Sequence, residues 1–327
     1  MIKKNTEGGG PMGRGKIRSE TLRRLLSLLT AAAALFASAG AAPSPSPSPE
    51  PPAPTEGVDD LPLWLAEETA EPGTVEYIAY ESRAKGGTPA RAGVYLPHGY
   101  DPEELYDVLI LWPGTGGEPR TSLTREMDCR MENGEICRLS VSHVLDRLIE
   151  TGRVRPLLVV CPSEFSGGIQ RVARQDYRTV WRLVTEEYST YDRDDSLSPK
   201  ERREHFAFLG FSQGAIYAQS LAMGEMYANF AYYACVCFGS RSPAGAEAIR
   251  ESGYPVEYIL YLMGNSSDHG GQAGESAFRS IVETCPGQVR EGDNAVFLRS
   301  ACYGHDYVLT LSAIMNMLPR IWPGEGT

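Results

Sequence analysis

Basic residues are scarce over most of this chain, and this scarcity limits the partners it can have. The 327 residues include 31 Lys and Arg against 42 Asp and Glu, a net charge of −11. Residues 1–42 hold seven basic and two acidic side chains, which leaves −16 on the remainder. A body this acidic repels nucleic acid and anionic membranes, and no basic, aromatic-rich face offsets the repulsion. We therefore expect no nucleic-acid partner.

The apolar block near the start of the chain is short for a membrane span. Leu25–Ala39 is alanine-rich, follows a basic stretch and precedes small residues, whereas a spanning helix needs about 20 apolar residues. This order is typical of a cleaved signal peptide, which we predict over residues 1–42. An uncleaved signal anchor is the alternative, and it is the one route by which we expect membrane contact. Either outcome predicts a secreted or extracellular body.

Proline and serine alternate directly after this block, over residues 43–58. Such a sequence prefers extended polyproline geometry, so we interpret it as a semi-rigid linker. The remaining residues, 59–327, are enough for a single α/β domain.

Cysteine is too sparse and too irregularly spaced to indicate a zinc site or a disulfide scaffold. We expect no metal and no cofactor. Cys129 with Cys137, and Cys285 with Cys302, are two possible disulfides, and the odd count of seven leaves at least one free thiol or an intermolecular link. Three further cysteines are expected in the core: Cys161, Cys235 and Cys237. We expect Cys235 and Cys237 to lie on one face of a strand.

Strand-like and helix-like segments alternate through the body. Apolar strand segments are predicted at Thr74–Tyr80, Arg91–Pro97, Tyr106–Gly114, Arg155–Pro162, Phe206–Leu209, 230–239, 256–264 and 294–304. Helices are predicted at 140–152, Val180–Tyr188, Ala215–Ala222, Ala244–Glu251, Ala277–Thr284 and Tyr307–Leu318, with a polar loop up to about Leu139. The first two strands read as a hairpin. The alternation predicts an α/β fold with a mainly parallel sheet and helices on both faces.

A serine between two glycines lies where a buried strand gives way to a helix of small residues. Gly210-Phe211-Ser212-Gln213-Gly214 fits the pattern G-x-S-x-G, in which a sharp strand-to-helix turn exposes a nucleophilic serine. A glycine–serine helix cap is the alternative reading. The strand before the motif and the helix after it favour the nucleophile.

A serine nucleophile needs a histidine base, and five histidines are available. Only His269 and His305 follow Ser212, and only His305 lies between the last strand and the last helix. In this fold the triad runs in the order serine, acid, histidine, from loops beyond strand ends. We therefore predict His305 as the base. The three histidines that precede Ser212 are His98, His143 and His205.

The acid of the triad is expected just after the next-to-last strand. Asp268 lies four residues past Gly264, where a buried carboxylate would fix the imidazole tautomer and stabilise the imidazolium. The rival carboxylates are Glu275, Asp293 and Asp306.

Backbone amides must hold the oxyanion that forms in the reaction. One is expected from Gln213, directly after the nucleophile. The other is expected from the loop after the third strand, where Pro113 has no N–H, so either Gly114 or Thr115 supplies it.

Together these segments resemble the esterase D/feruloyl esterase group of α/β-hydrolases, which are carbohydrate esterase family 1-like enzymes. The resemblance covers roughly Thr74 to Trp322 and is most specific at "YLPHGYD" and the late "GHD". It implies an α/β-hydrolase fold, with Ser212, Asp268 and His305 as the triad. One departure is Pro113-Gly114, where the group usually has His-Gly.

The resemblance implies removal of acetyl or feruloyl groups from plant polysaccharides, so an ester-bearing small molecule or polysaccharide is the expected partner. The same triad would serve an acyltransferase or a peptidase, and a non-catalytic polysaccharide-binding protein is a further alternative. Loops 118–139 and 163–195 are expected to shape the pockets. Four aromatic residues could stack on a phenolic ring or sugar: Phe165, Tyr177, Trp181 and Tyr191. For Tyr177 and Trp181 we favour a place in the core instead.

Overall fold

An eight-stranded sheet runs through the part of the chain that the computed structural model describes, residues 57–82, 88–164, 169–239 and 244–325. The signal segment predicted at 1–42 and nearly all of the predicted linker lie outside these residues. The strands are β1 (Thr74–Ser82), β2 (Thr88–Leu96), β3 (Asp107–Trp112), β6 (Leu157–Pro162), β7 (Phe206–Phe211), β8 (Tyr232–Val236), β9 (Tyr258–Met263) and β10 (Ala295–Arg299). A separate hairpin consists of β4 (Met127–Arg130) and β5 (Ile136–Leu139).

The order across the sheet is β1-β2-β6-β3-β7-β8-β9-β10. The hairpin β1–β2 is antiparallel and joins β6 in antiparallel fashion, and all pairs from β6 to β10 are parallel. Parallel strands end at the same edge, so the loops after β3, β7, β8, β9 and β10 meet there. The predicted fold class, a mainly parallel sheet of the α/β-hydrolase type, is confirmed.

Burial explains why the central strands are continuously apolar. Every residue of β3, β6, β7 and β9 is buried, because helices cover both faces of the sheet. The helices are α1 (Pro119–Thr124), α2 (Val141–Glu150), α3 (Gln170–Glu187), α4 (Pro199–Arg203), α5 (Gln213–Tyr217), α6 (Ala244–Glu251), α7 (Gly271–Thr284) and α8 (Val308–Ile321). Helix α5 continues into a wider π-helical segment, Ala218–Glu225. No helix in the described ranges combines the length and apolarity needed to cross a bilayer.

The prediction of a polar loop up to Leu139 is wrong. Helix α1 and the hairpin β4–β5 occupy this segment, and the hairpin turns at Gly134, whose φ is +82°. Helix α3 also begins ten residues before the predicted Val180. Its amphipathic pattern is weak at the start because Gln170, Arg171 and Arg174 dilute the apolar residues.

The cysteines differ from expectation in two ways. All seven are free thiols, so neither predicted disulfide is formed, even though Cys129 lies opposite Cys137 in β4–β5. Cys235 and Cys237 are both buried but pack into the cores on opposite faces of the sheet, not on one face. The reason is that β8 ends at Val236 and Cys237 adopts a left-handed backbone with φ of +59°.

Candidate active site

Ser212 lies at the sharp turn between β7 and α5. Its φ of +54° is rare for a residue with a side chain, and such strain costs about 1–3 kcal/mol. The flanking glycines permit the turn: a Cβ on Gly210 would lie 2.0 Å from the carbonyl oxygen of Gly214, and a Cβ on Gly214 would lie 2.1 Å from that of Trp112. The strained backbone thus presents the hydroxyl at the carboxyl edge of the sheet.

Three polar side chains that are distant in sequence form one hydrogen-bonded array. The Nε2 atom of His305 lies 2.8 Å from Oγ of Ser212, and Nδ1 of the same ring lies 2.7 Å from Oδ1 of Asp268. His305 follows β10 and Asp268 follows β9, so adjacent parallel strands deliver both side chains to Ser212 at the end of β7. The structure therefore brings together the three residues predicted as the triad.

Asp268 is held as a carboxylate by its surroundings. Its side chain is fully buried, and its two oxygens accept hydrogen bonds from the amides of Gly264 (2.9 Å) and Gly270 (3.0 Å) as well as from His305. Burial opposes ionisation, but these hydrogen bonds outweigh it, and the pKa of Asp268 lies below its ordinary value. A negative charge behind the imidazole stabilises the imidazolium that proton transfer from Ser212 creates.

The rival histidines have other neighbours. The ring of His98 faces Glu71 at 3.7 Å, Nε2 of His143 lies 2.6 Å from the carbonyl oxygen of Leu65, and His205 pairs with Asp107.

The rival acids are also engaged away from the His305 ring. Glu275 accepts from Arg299 at 2.7 Å and Asp293 accepts from Arg290 at 2.7 Å. Asp306 accepts from the amide of Val308 at 3.0 Å.

Two of the four amides in the loop after β3 are already bonded. Gly116 donates to the carbonyl of Glu164 and Gly117 donates to that of Gly114. The amides of Gly114 and Thr115 are therefore the loop's remaining candidate donors for an oxyanion, together with that of Gln213 at the start of α5. The backbone of Gly114 lies close to Ser212, since a Cβ on Gly114 would be 3.3 Å from Cβ of Ser212. These are the three residues predicted to bind the oxyanion, and the choice between Gly114 and Thr115 stays open.

A cavity of about 280 Å³ opens beside this loop. Phe211 and Tyr307 pack edge to face at 5.1 Å in its wall, and Met127 adds further apolar surface. The other lining residues are Pro113, Gly114, Thr115, Gly116, Gly117, Thr121, Ser122, Arg125 and Asp306. The volume is near the lower end of the range for small-molecule pockets, roughly 300–1,000 Å³. Thr121, Ser122, Arg125 and Met127 come from the first of the two segments predicted to shape the pockets.

The aromatic residues considered for stacking lie elsewhere. Tyr177 and Trp181 belong to the core, with their rings 5.8 Å apart. Tyr191 stacks on His205 with ring centroids 3.5 Å apart. Phe165 lies outside the described residues. None of the three described rings lines the cavity. The favoured prediction, that Tyr177 and Trp181 pack with the core, is confirmed, and the ring of Tyr191 is engaged with His205.

Two residues lie beside the triad although sequence analysis assigned neither of them a role there: His269, the rival candidate for the base, and Cys237, predicted only as a core residue. His269 is exposed, and its ring contacts that of His305 at a centroid distance of 3.9 Å, with the two ring planes tilted by 35°. Cys237 is buried beside the loop of His305, and burial together with the negative charge of Asp268 raises the pKa of its thiol. His269 directly follows Asp268, which was a signal for it. Cys237 gave no such signal, because an alternating strand pattern predicts a core side chain.

The chain is similar to known proteins in part of its sequence and in its fold. No protein-family model matches the chain. Endo-1,4-beta-xylanase Y of Acetivibrio thermocellus is 30% identical over 189 residues, which are 54% of this chain and 16% of that protein. The chain therefore matches only a small part of this much longer relative.

Solved structures with the same fold include feruloyl esterases. A mutant of the feruloyl esterase module from Clostridium thermocellum, complexed with sinapinate, has a TM-score of 0.62 and 22% identity, covering 80% of this chain and 92% of that one. A ferulic acid esterase from the anaerobic fungus Anaeromyces mucronatus has a TM-score of 0.57 and 17% identity, covering 77% and 92%. The chain thus has the α/β-hydrolase fold, and its resemblance to the feruloyl esterases is confirmed.

Proposed function

We propose that this chain is a secreted serine esterase that hydrolyses carboxylic esters of plant polysaccharides, with feruloyl-type acyl groups preferred over acetyl. The observation that carries the proposal is the array Ser212–His305–Asp268, together with a cavity whose wall includes Phe211 and Asp306, the chain neighbours of Ser212 and His305. Secretion is supported by the basic stretch and the apolar block of residues 1–42. N-terminal sequencing of protein recovered from the medium tests that part.

The geometry accounts for both halves of the reaction. Oγ of Ser212 attacks the ester carbonyl while Nε2 of His305 takes its proton, and Asp268 stabilises the imidazolium. The amide of Gln213, with that of Gly114 or Thr115, binds the oxyanion. His305 then returns the proton to the departing alcohol, leaving the acyl group on Ser212. In the second half His305 takes a proton from water as that water attacks the acyl-enzyme, and His305 then returns the proton to Oγ of Ser212 as the bond to the acyl group breaks and the acid leaves.

Removal of the nucleophile tests the esterase directly. We expect Ser212→Ala to lower kcat/KM on methyl ferulate by about 10⁴-fold or more. Ser196→Ala, which replaces an exposed serine in the segment before the amino end of β7, is the control and should match the wild type. A panel of methyl ferulate, acetyl-xylan and short aryl esters should show hydrolysis by the wild type. If nothing in the panel is hydrolysed, or if Ser212→Ala keeps the wild-type rate, the proposal fails.

The cavity favours a bulky acyl group, because an acetyl group would leave most of its 280 Å³ unfilled. Thr121 and Thr124 are both exposed on α1, but only Thr121 lines the cavity. We expect Thr121→Trp to slow hydrolysis of methyl ferulate at least about tenfold relative to that of an aryl acetate, which corresponds to about 1.4 kcal/mol. Thr124→Trp should leave the ratio of the two rates unchanged. Equal losses on both substrates with Thr121→Trp would contradict a feruloyl-type pocket here.

A further inference from the structure

The proposed reaction does not use Cys237, although its thiol lies against the base. Sγ of Cys237 is 3.7 Å from the carbonyl oxygen of Gly304 and 3.9 Å from that of Asp306, the two residues that flank His305. The left-handed backbone after β8 turns the side chain toward this loop. A thiol, a carboxylate and an imidazole therefore lie close together.

These three groups have the separation and the chemistry of a metal site. Sγ of Cys237, a carboxylate oxygen of Asp268 and a ring nitrogen of His305 all lie within 4.8 Å of one another. Nδ1 is the nitrogen concerned, because it is the one that faces Asp268. Ligand atoms around a tetrahedral zinc ion lie roughly 3.5 Å apart, so small side-chain movements would enclose an ion.

We propose that Cys237, Asp268 and His305 form an inhibitory site for soft divalent ions such as Zn²⁺ and Cd²⁺. Thiolate and imidazole select these ions, whereas Mg²⁺ and Ca²⁺ need more oxygen ligands than the group offers. Water would complete the coordination, as in zinc sites with three protein ligands. The ion would replace the hydrogen bond between His305 and Asp268. The enzyme therefore cannot hold the ion and keep this catalytic hydrogen bond at the same time.

Metal binding would inhibit the enzyme because it changes where the protons of Cys237 and His305 lie. The ion displaces the thiol proton of Cys237, which is released to solvent, and forms the metal–sulfur bond. The proton on Nδ1 of neutral His305 moves to Nε2 as the metal–nitrogen bond forms. Nε2 then carries a hydrogen and has no lone pair for the proton of Ser212. The occupied enzyme therefore lacks its base, and hydrolysis stops without any redox step.

Cys137 and Cys302 are the two thiols that are not fully buried, and they would also attract soft ions. The test therefore uses a Cys137→Ser/Cys302→Ser background. In this background we expect Zn²⁺ to inhibit ester hydrolysis while Mg²⁺ does not. Adding Cys237→Ala should raise the half-inhibitory Zn²⁺ concentration at least tenfold, with each variant normalised to its own uninhibited rate. Cys237→Ser serves the same purpose should the alanine variant not fold.

A second readout needs no substrate. Cd²⁺ added to the background protein should produce the ultraviolet charge-transfer band of a cadmium–thiolate bond, and the band should vanish with Cys237→Ala or Cys237→Ser. Unchanged half-inhibitory concentrations, or a band that persists in these variants, would overturn the proposal. Because the band does not depend on turnover, a failure of the esterase function leaves this outcome interpretable on its own.

Discussion

The two ends of strand β7 carry histidine–aspartate pairs of nearly the same geometry. At the carboxyl end Nδ1 of His305 lies 2.7 Å from Asp268, and at the amino end Nδ1 of His205 lies 2.8 Å from Asp107. The histidine side chains are 19% and 18% exposed and the aspartates 0% and 2%, so burial does not distinguish the pairs. The difference lies in what else each pair contacts.

The aspartates differ in how their charge is compensated. Asp107 forms an ion pair with Arg155, whose Nη2 lies 3.1 Å from Oδ1. Asp268 accepts from the neutral amides of Gly264 and Gly270, so its negative charge remains available to an imidazolium. The histidine–aspartate pair at the amino end of β7 is thus part of a structural polar cluster with Arg155.

The histidines differ in their contacts other than with the aspartates. Nε2 of His305 faces the hydroxyl of Ser212, whereas the His205 ring is covered by Tyr191. A histidine–aspartate pair can therefore serve as a catalytic base when the histidine also contacts a nucleophile and when no cation neutralises the aspartate.

Replacing each histidine in turn gives the largest expected contrast. We expect His305→Ala to lower kcat/KM on methyl ferulate by about 10⁴-fold, because Ser212 loses its base. His205→Ala should keep near-wild-type turnover and lose about 1–2 kcal/mol of unfolding free energy, because Asp107 loses a hydrogen bond. Ester hydrolysis and urea unfolding of both variants measure this. Similar kinetic losses in the two variants would remove the distinction between the ends of β7.

The aspartates should show a smaller contrast of the same kind. Asp268→Asn is expected to lower kcat by about 10³- to 10⁴-fold with little change in KM, because the amide cannot hold the reactive tautomer. Asp107→Asn should leave kcat close to wild type and lower the unfolding free energy by about 1–3 kcal/mol, since Arg155 and His205 lose a charged partner. A kcat for Asp107→Asn as low as that of Asp268→Asn would mean that the amino-end pair also supports catalysis.

The triad could be predicted from sequence because strand ends and chain order constrain it. Ser212 and Asp268 follow the continuously buried strands β7 and β9, and His305 follows the partly buried β10, which pairs with β9. These strands are parallel, so they end at the same edge of the sheet. The chain order also excludes His205 as the base, because this residue precedes Ser212 and begins a strand. In the structure His205 lies at the amino edge of the sheet, opposite the edge that carries Ser212.

The misses have equally specific causes. The hairpin β4–β5 has only four residues in each strand, too few for its alternation to stand out, although Asn133-Gly134 between them is a common hairpin turn. The position of Cys237 depends on one left-handed residue, and strand periodicity assumes an extended backbone. Backbone conformations of this kind depend on tertiary contacts, so no local pattern could have placed the thiol beside His305.

The smallest expected effect concerns the carboxyl-end pair alone: the pH dependence of stability that follows from the depressed pKa of Asp268. Hydrogen bonds from His305, Gly264 and Gly270 overcome burial and lower this pKa below its ordinary value of 3.8. The folded state thus favours the carboxylate, so its stabilisation is complete above the unfolded pKa and is lost as pH falls through the lower folded value. We expect the difference in unfolding free energy between wild type and Asp268→Asn to be constant above about pH 5 and to shrink below pH 4. A difference that stays constant down to about pH 3 would mean that the carboxylate is not held in its charged form by the fold.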